Sequence, residues 1–133
     1  FRHAVLGTAV LTALLRLIAW LNTAIISRDS VIYIRLAREW VTGHYDQALS
    51  HPYHPLYSFL IACGARGLGG NFEYAAVGIS VLASALTIPA LALLFRKVRQ
   101  KSVLFLGLLF FCVSPYLVRY AGDVLSEPLY LFF

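Results

Sequence analysis

The sequence predicts an all-α protein: a polytopic bundle of membrane helices, with two further helices lying in the interface on its outer side. Three observations predict it. The chain is 60% hydrophobic and 13% charged over 133 residues, whereas a soluble domain is about half apolar and a quarter charged. Apolar runs of spanning length alternate with short polar segments. Basic residues then crowd one of those segments, with Arg96, Lys97, Arg99 and Lys101 together between two apolar runs, the mark of a cytoplasmic loop.

The spans are expected over residues 4–26, 74–95 and 102–118, with a fourth starting at 128–133. A crossing of a ~30 Å hydrocarbon core needs roughly 17–25 residues at ~1.5 Å rise, which the third run only just meets. The chain begins at Phe1 and ends inside an apolar run, so residues 1–133 are expected to form the N-terminal part of a longer polytopic protein. The first run is too long for a signal peptide, and no small-residue cleavage pattern precedes Arg28. With loop 96–101 inside, segments 27–73 and 119–127 lie outside. All six acids (Asp29, Glu39, Asp46, Glu73, Asp123, Glu127) then fall outside, as do three of the four histidines. Any chemistry is therefore expected to be extracytoplasmic.

The net charge of +5 does not point to nucleic acid, because binding would need a solvated basic face that this chain lacks. Cys63 and Cys112 sit in apolar surroundings without metal-ligand spacing and are expected to be buried thiols.

The outer segment is not expected to be a plain loop. Ile32, Tyr33, Leu36, Ala37 and Trp40 recur at a helical period, and Gly43 supplies a stop, so a helix is expected over 29–42. It reads as amphipathic and interfacial, with Trp40 and Tyr33 at headgroup level. Residues 44–53 read as a polar, irregular turn. Pro55 starts a second short helix over 55–66, closed by glycines at 64, 67, 69 and 70. Together the two helices would make a platform for a lipid-linked substrate.

Ionisable groups at membrane depth are costly, and the default hypothesis is that they serve a substrate or ion pathway. Asp29 leads. It shares a helical face with Tyr33 and Leu36, so carboxylate and phenol can point into one cavity, as a general base or a cation ligand. A plain helix N-cap accounts for the same aspartate. Arg28, Arg35 and Arg38 can clamp a phosphate or touch lipid headgroups, and the headgroup reading is preferred for Arg35 and Arg38. His51 and His54 can bind a phosphate oxygen or shuttle a proton, or simply be solvated loop residues. Glu127 opens the last apolar run, where the helix dipole favours it, or where it can position a donor or a cation; Asp123 and Arg119 are its neighbours. Arg16 lies inside the first span, and must face the bundle interior or snorkel. Nucleotide-binding glycine loops, zinc pairs and nucleophile elbows are absent from the sequence.

These pieces, in this order, resemble the N-terminal part of C-type (GT-C) membrane glycosyltransferases, especially glycosyltransferase family 39, the protein O-mannosyltransferase and aminoarabinose transferase group. The resemblance runs through the arginine-bearing span, Asp29 with Tyr33, the amphipathic helix, His54-Pro55-Leu56-Tyr57, the basic loop, Ser114-Pro115, and Ser126-Glu127-Pro128-Leu129-Tyr130. It implies sugar transfer from a polyprenyl-phosphate donor to a glycan, lipid or protein acceptor, on the outer face of a bacterial or archaeal plasma membrane. Asp29 would be the catalytic base. His54, Arg28, Tyr33, Tyr57, His51 and Glu127 would serve the donor phosphate or substrate. The family usually carries Asp-Glu where this chain has Asp29-Ser30, and a second proline where it has His54-Pro55-Leu56. No cofactor is implied with certainty; a divalent cation on Asp29 or Glu127 is compatible with the pattern. The rivals are a transporter or channel segment, with Arg16, Asp29 and Glu127 along a path, and a non-catalytic membrane scaffold.

Overall fold

The computed structural model describes residues 2–23, 27–97, 100–122 and 126–132. Within them the chain is helical and contains no strand: α1 (Arg2–Leu21), α2 (Arg28–Thr42), α3 (Tyr45–Ser50), α4 (Pro55–Gly67), α5 (Phe72–Leu94), α6 (Lys101–Val113), α7 (Pro115–Gly122) and α8 (Glu127–Phe132). By length and composition α1 and α5 are long and apolar enough to cross a membrane.

α5 is the spine. Its buried residues are mostly small, with Ala75, Ala76, Ser80, Ala83, Ser84 and Thr87 among them, so neighbouring backbones approach closely. α1, α4 and α8 pack on it, and α2 touches it. One core cluster joins Tyr33, Tyr57, Ile61, Ala65, Ala76, Val77 and Leu129. A second, towards the other end of α5, joins Val5, Ile88, Ala92, Leu104 and Leu108.

The polarity of α1 runs opposite to that of a water-soluble helix. It buries Val5, Thr8, Thr12 and Arg16 while Leu6, Val10, Leu14, Ile18 and Leu21 stand exposed. The buried hydroxyls donate back to their own helix, Thr8 to the Ala4 carbonyl at 2.9 Å and Thr12 to that of Thr8 at 2.8 Å. They are thereby satisfied without a partner on the facing helix.

Arg16 does face the interior, at 1% exposure. Its Nη1 donates to the carbonyls of Thr12 and Cys112, each at 3.3 Å, and its guanidinium lies 5.8 Å from the Phe111 ring centre. The expected third span, 102–118, explains why Cys112 is available. That run is divided at Ser114 into α6 and α7, with Pro115 at the first position of α7, where its missing N–H is not needed; Pro89, by contrast, is accommodated inside α5. α6, with 13 residues, is about 20 Å long. The division orphans the last carbonyls of α6, and Arg16 places a cation on one of them, at the negative end of the helix dipole.

Other expectations shift in smaller ways. The first helix begins at Arg2, and residues 24–26 of the expected span lie outside the described residues, as do Arg99 and Asp123. Residues 45–50 of the expected polar turn form α3. Cys63 is exposed while Cys112 is buried: α4 turns Tyr57, Ile61 and Ala65 inward, and Cys63 falls on the opposite side. Tyr33 is 4% exposed, buried in the core, because it lies on the face of α2 that packs on α4. Trp40 is half-buried, its Nε1 donating to Ser58 Oγ at 3.1 Å.

The α4–α5 contact yields a test. A Cβ placed on Gly64 would sit 3.3 Å from Ala75 Cβ and 3.7 Å from Ile79 Cδ1. Alanine there requires a shift of tenths of an ångström. Leucine must push the helices apart, and Gly64→Leu is expected to cost about 1–3 kcal/mol, read as a lowered melting temperature of the detergent-solubilised protein with Gly64→Ala much closer to wild type.

Candidate functional site

Two chain segments meet at the N-terminal end of α2. Ser27 caps that helix, its Oγ accepting the Ser30 N–H at 3.3 Å. The capping role open to Asp29 in the sequence is therefore filled by another residue. Asp29 occupies the first turn, where the dipole favours a carboxylate, and its Oδ1 accepts a hydrogen bond from the Tyr53 hydroxyl at 2.6 Å. Asp29 remains part-exposed.

Tyr33, one turn on, ties this corner to the rest of the protein. Its ring meets Tyr53 edge-on at 5.2 Å and Tyr57 at 4.9 Å, the T-shaped geometry that aromatic quadrupoles favour. Its hydroxyl bonds Ser126 Oγ at 2.9 Å, immediately before Glu127. Tyr57 lies beneath, fully buried, its hydroxyl within 2.7 Å of Ser80 Oγ and 3.3 Å of the Ala76 carbonyl. That hydroxyl is committed to joining α4 to α5.

Of the residues singled out in the sequence, Asp29, Tyr33, Tyr57 and Glu127 thus gather around one tyrosine cluster, with Glu127 exposed at the start of α8. His51 joins them: its ring is 5.1 Å from that of Tyr53, and its Nδ1 accepts the Tyr53 N–H at 3.4 Å. Arg28 is exposed at the head of α2, and His54 is exposed at the N-cap of α4, next to Tyr53. Arg35 and Arg38 are also exposed but line a different cleft. Arg16 and Glu127 both line a crevice with Ser84 and Thr87, too narrow to admit water. Among the described residues no three of His, Cys, Asp or Glu gather as a metal site.

Two contributors went unassigned in the sequence, Tyr53 and Ser126. Tyr53 had a signal, since it stands between His51-Pro52 and His54-Pro55. Ser126 had only its place beside Glu127.

The electrostatics follow from these contacts. Donation to the Asp29 carboxylate, joined by burial and that carboxylate's charge, pushes the Tyr53 phenol up, while Arg28 opposes the shift. Burial first, then the charges of Glu127 and Asp29, push Tyr33 up against the bond from Ser126. Burial likewise pushes Tyr57 up. The arrangement offers a carboxylate fixed in direction by a phenol that stays protonated, beside basic groups able to meet an anion. Compared with known proteins, the chain matches no family model, no curated protein and no solved structure.

A phenol raised in the folded state stabilises the fold fully below its ordinary value of ~10, and that contribution is lost as pH climbs through the raised value. Tyrosinate absorbance should therefore detect phenols ionising late. Asp29→Asn, which removes the charge but keeps an acceptor oxygen, should bring Tyr53 back towards the ordinary range, an assignment checked against Tyr53→Phe.

Proposed function

We propose that this chain is the N-terminal part of a GT-C-type membrane glycosyltransferase, moving a sugar from a polyprenyl-phosphate donor to an acceptor on the outer face of the membrane. The observation that carries the reading is the Asp29–Tyr53 bond. It brings the acidic corner of α2 against the His51–Tyr57 segment, so that a carboxylate and two histidines stand together beside an apolar bundle. The inverted polarity of α1 supports a lipid setting, in which exposed leucines are solvated and buried hydroxyls lie in the packing seam.

The chemistry follows from the positions. The acceptor hydroxyl attacks the anomeric carbon of the donor sugar, the bond from that carbon to the phosphate oxygen breaks, and Asp29 takes the hydroxyl proton. Arg28 and His54 face the leaving phosphate and offset its charge. Tyr33 and Tyr53 are positioning residues that aim the carboxylate. Glu127 lies on the donor side, and a cation shared by Glu127 and Asp29 is compatible with the reading.

A permeation path is the second reading, favoured by the seam of hydroxyls between α1 and α5. Against it, Thr8, Thr12 and Thr87 donate to carbonyls of their own helices, and the Arg16 crevice is closed to water.

In the intact protein, Asp29→Asn is expected to lower transfer from a polyprenyl-phosphate sugar by about 10²–10⁴-fold, the ordinary worth of a general base, with folding unchanged. Tyr53→Phe keeps the carboxylate and should cost far less. Undiminished turnover in a folded Asp29→Asn protein removes the base assignment.

A further inference from the structure

α2 carries a second polar face that the tyrosine cluster does not use. Asp29, Tyr33, Leu36 and Trp40 lie along one side of the helix, and Val31, Ile34, Arg35 and Arg38 along the other, roughly 190° away at ~100° per residue. This other side forms one wall of an open cleft of about 730 Å³, and the α4–α5 turn forms the opposite wall. Gly69 and Gly70 shape the turn with φ of 62° and 87°, values that a side chain would strain. After it come Asn71, Phe72 and Glu73, at the N-terminus of α5.

The cleft has a divided chemistry. Val31, more than half exposed, and Ile34 give it an apolar wall, and Phe72 faces them from α5. Arg38 is held with its guanidinium 5.6 Å from the Phe72 ring centre, an arrangement that fixes direction without neutralising charge. Among the described residues Arg35 has no side-chain hydrogen bond, ion pair or ring contact. Neither arginine is ion-paired among the described residues. The positive end of the 23-residue α5 helix adds to the field at the mouth. Glu73 is the only acid in the cleft wall. Two arginines and one glutamate sum to a single positive charge, which suits a monoanion better than a dianion.

We propose that this cleft binds the headgroup of an anionic phospholipid, with the phosphodiester on Arg35 and Arg38 and the first part of an acyl chain along Val31 and Ile34. A phosphodiester carries one charge and accepts forked hydrogen bonds from guanidinium groups. An apolar wall beside it is of use to a lipid and of none to free phosphate. The site rests on the membrane setting proposed above but not on sugar transfer, and it is separate from the Asp29 corner. It would seat α2, and with it the tyrosine cluster, at a fixed depth in the interface.

The test uses the intact protein in nanodiscs of phosphatidylcholine doped with phosphatidylglycerol, with retained lipids identified by native mass spectrometry. Phosphatidylglycerol is expected to be enriched around the wild-type protein. Arg35→Gln with Arg38→Gln should weaken that enrichment about thirtyfold, and Arg35→Gln alone, at an exposed side chain, about fivefold. Arg66→Gln, an exposed arginine outside the cleft, should leave it intact, as should Asp29→Asn, so that loss of transfer and loss of lipid are read separately. The same enrichment in the double variant, an equal loss on changing Arg66, or displacement of the lipid by inorganic phosphate overturns the proposal.

Discussion

The corner where α2, α4 and α8 meet depends on Tyr33. Its ring separates Tyr53 from Tyr57, and its hydroxyl reaches Ser126, so a single side chain from α2 touches the segment before α4, α4 itself and the residue before α8. Those contacts come from parts of the chain 20, 24 and 93 residues away. Edge-to-face aromatic pairs are each worth about 0.5–1.5 kcal/mol beyond their burial, and a buried hydroxyl pair adds about 1 kcal/mol. More telling than the sum is the geometry. With Tyr33 in place, Asp29 one turn earlier can only face Tyr53, and Glu127 is brought to the same side.

Beneath this corner the protein is organised around small residues and self-satisfied hydroxyls. Ser80, Ser84 and Thr87 are buried on α5 and Thr8, Thr12 and Arg16 on α1, with Ser84 and Thr87 lining one crevice with Arg16. In water such a seam would be a poor core, because little apolar area is withdrawn from solvent. In lipid, close backbone approach and satisfied hydroxyls count for more than apolar area. The proposed enzyme would then have a stiff bundle below and a polar corner above, the arrangement in which rigid elements aim a reactive group.

Much of this was legible in the sequence wherever periodicity or a breaker residue spoke. The α2 stripe, Pro55 at the first position of α4, and the long apolar runs of α1 and α5 all announced helices close to those observed. Where one signal overrode another, the sequence misled. The hydropathy of 102–118 marked one apolar run but not the division of its helix at Ser114, before Pro115. The polar residues 45–50 read as a turn, yet six residues suffice for a helix of less than two turns. The partners of Tyr33, Tyr57 and Ser126, are remote in sequence, and no local rule could pair them. The same holds for Tyr53 and Asp29.

The contact between Arg16 and the carbonyl of Cys112 joins two departures from ordinary helix design. Alone, the buried guanidinium lacks an anion; alone, the interrupted α6 ends in carbonyls without donors. Each supplies what the other wants. Proline at 115 and arginine at 16 are thus mutually conditional, though 99 positions separate them. A continuous helix through 114 would leave Arg16 only the Thr12 carbonyl and the Phe111 ring, and leucine at 16 would take the donor from the Cys112 carbonyl.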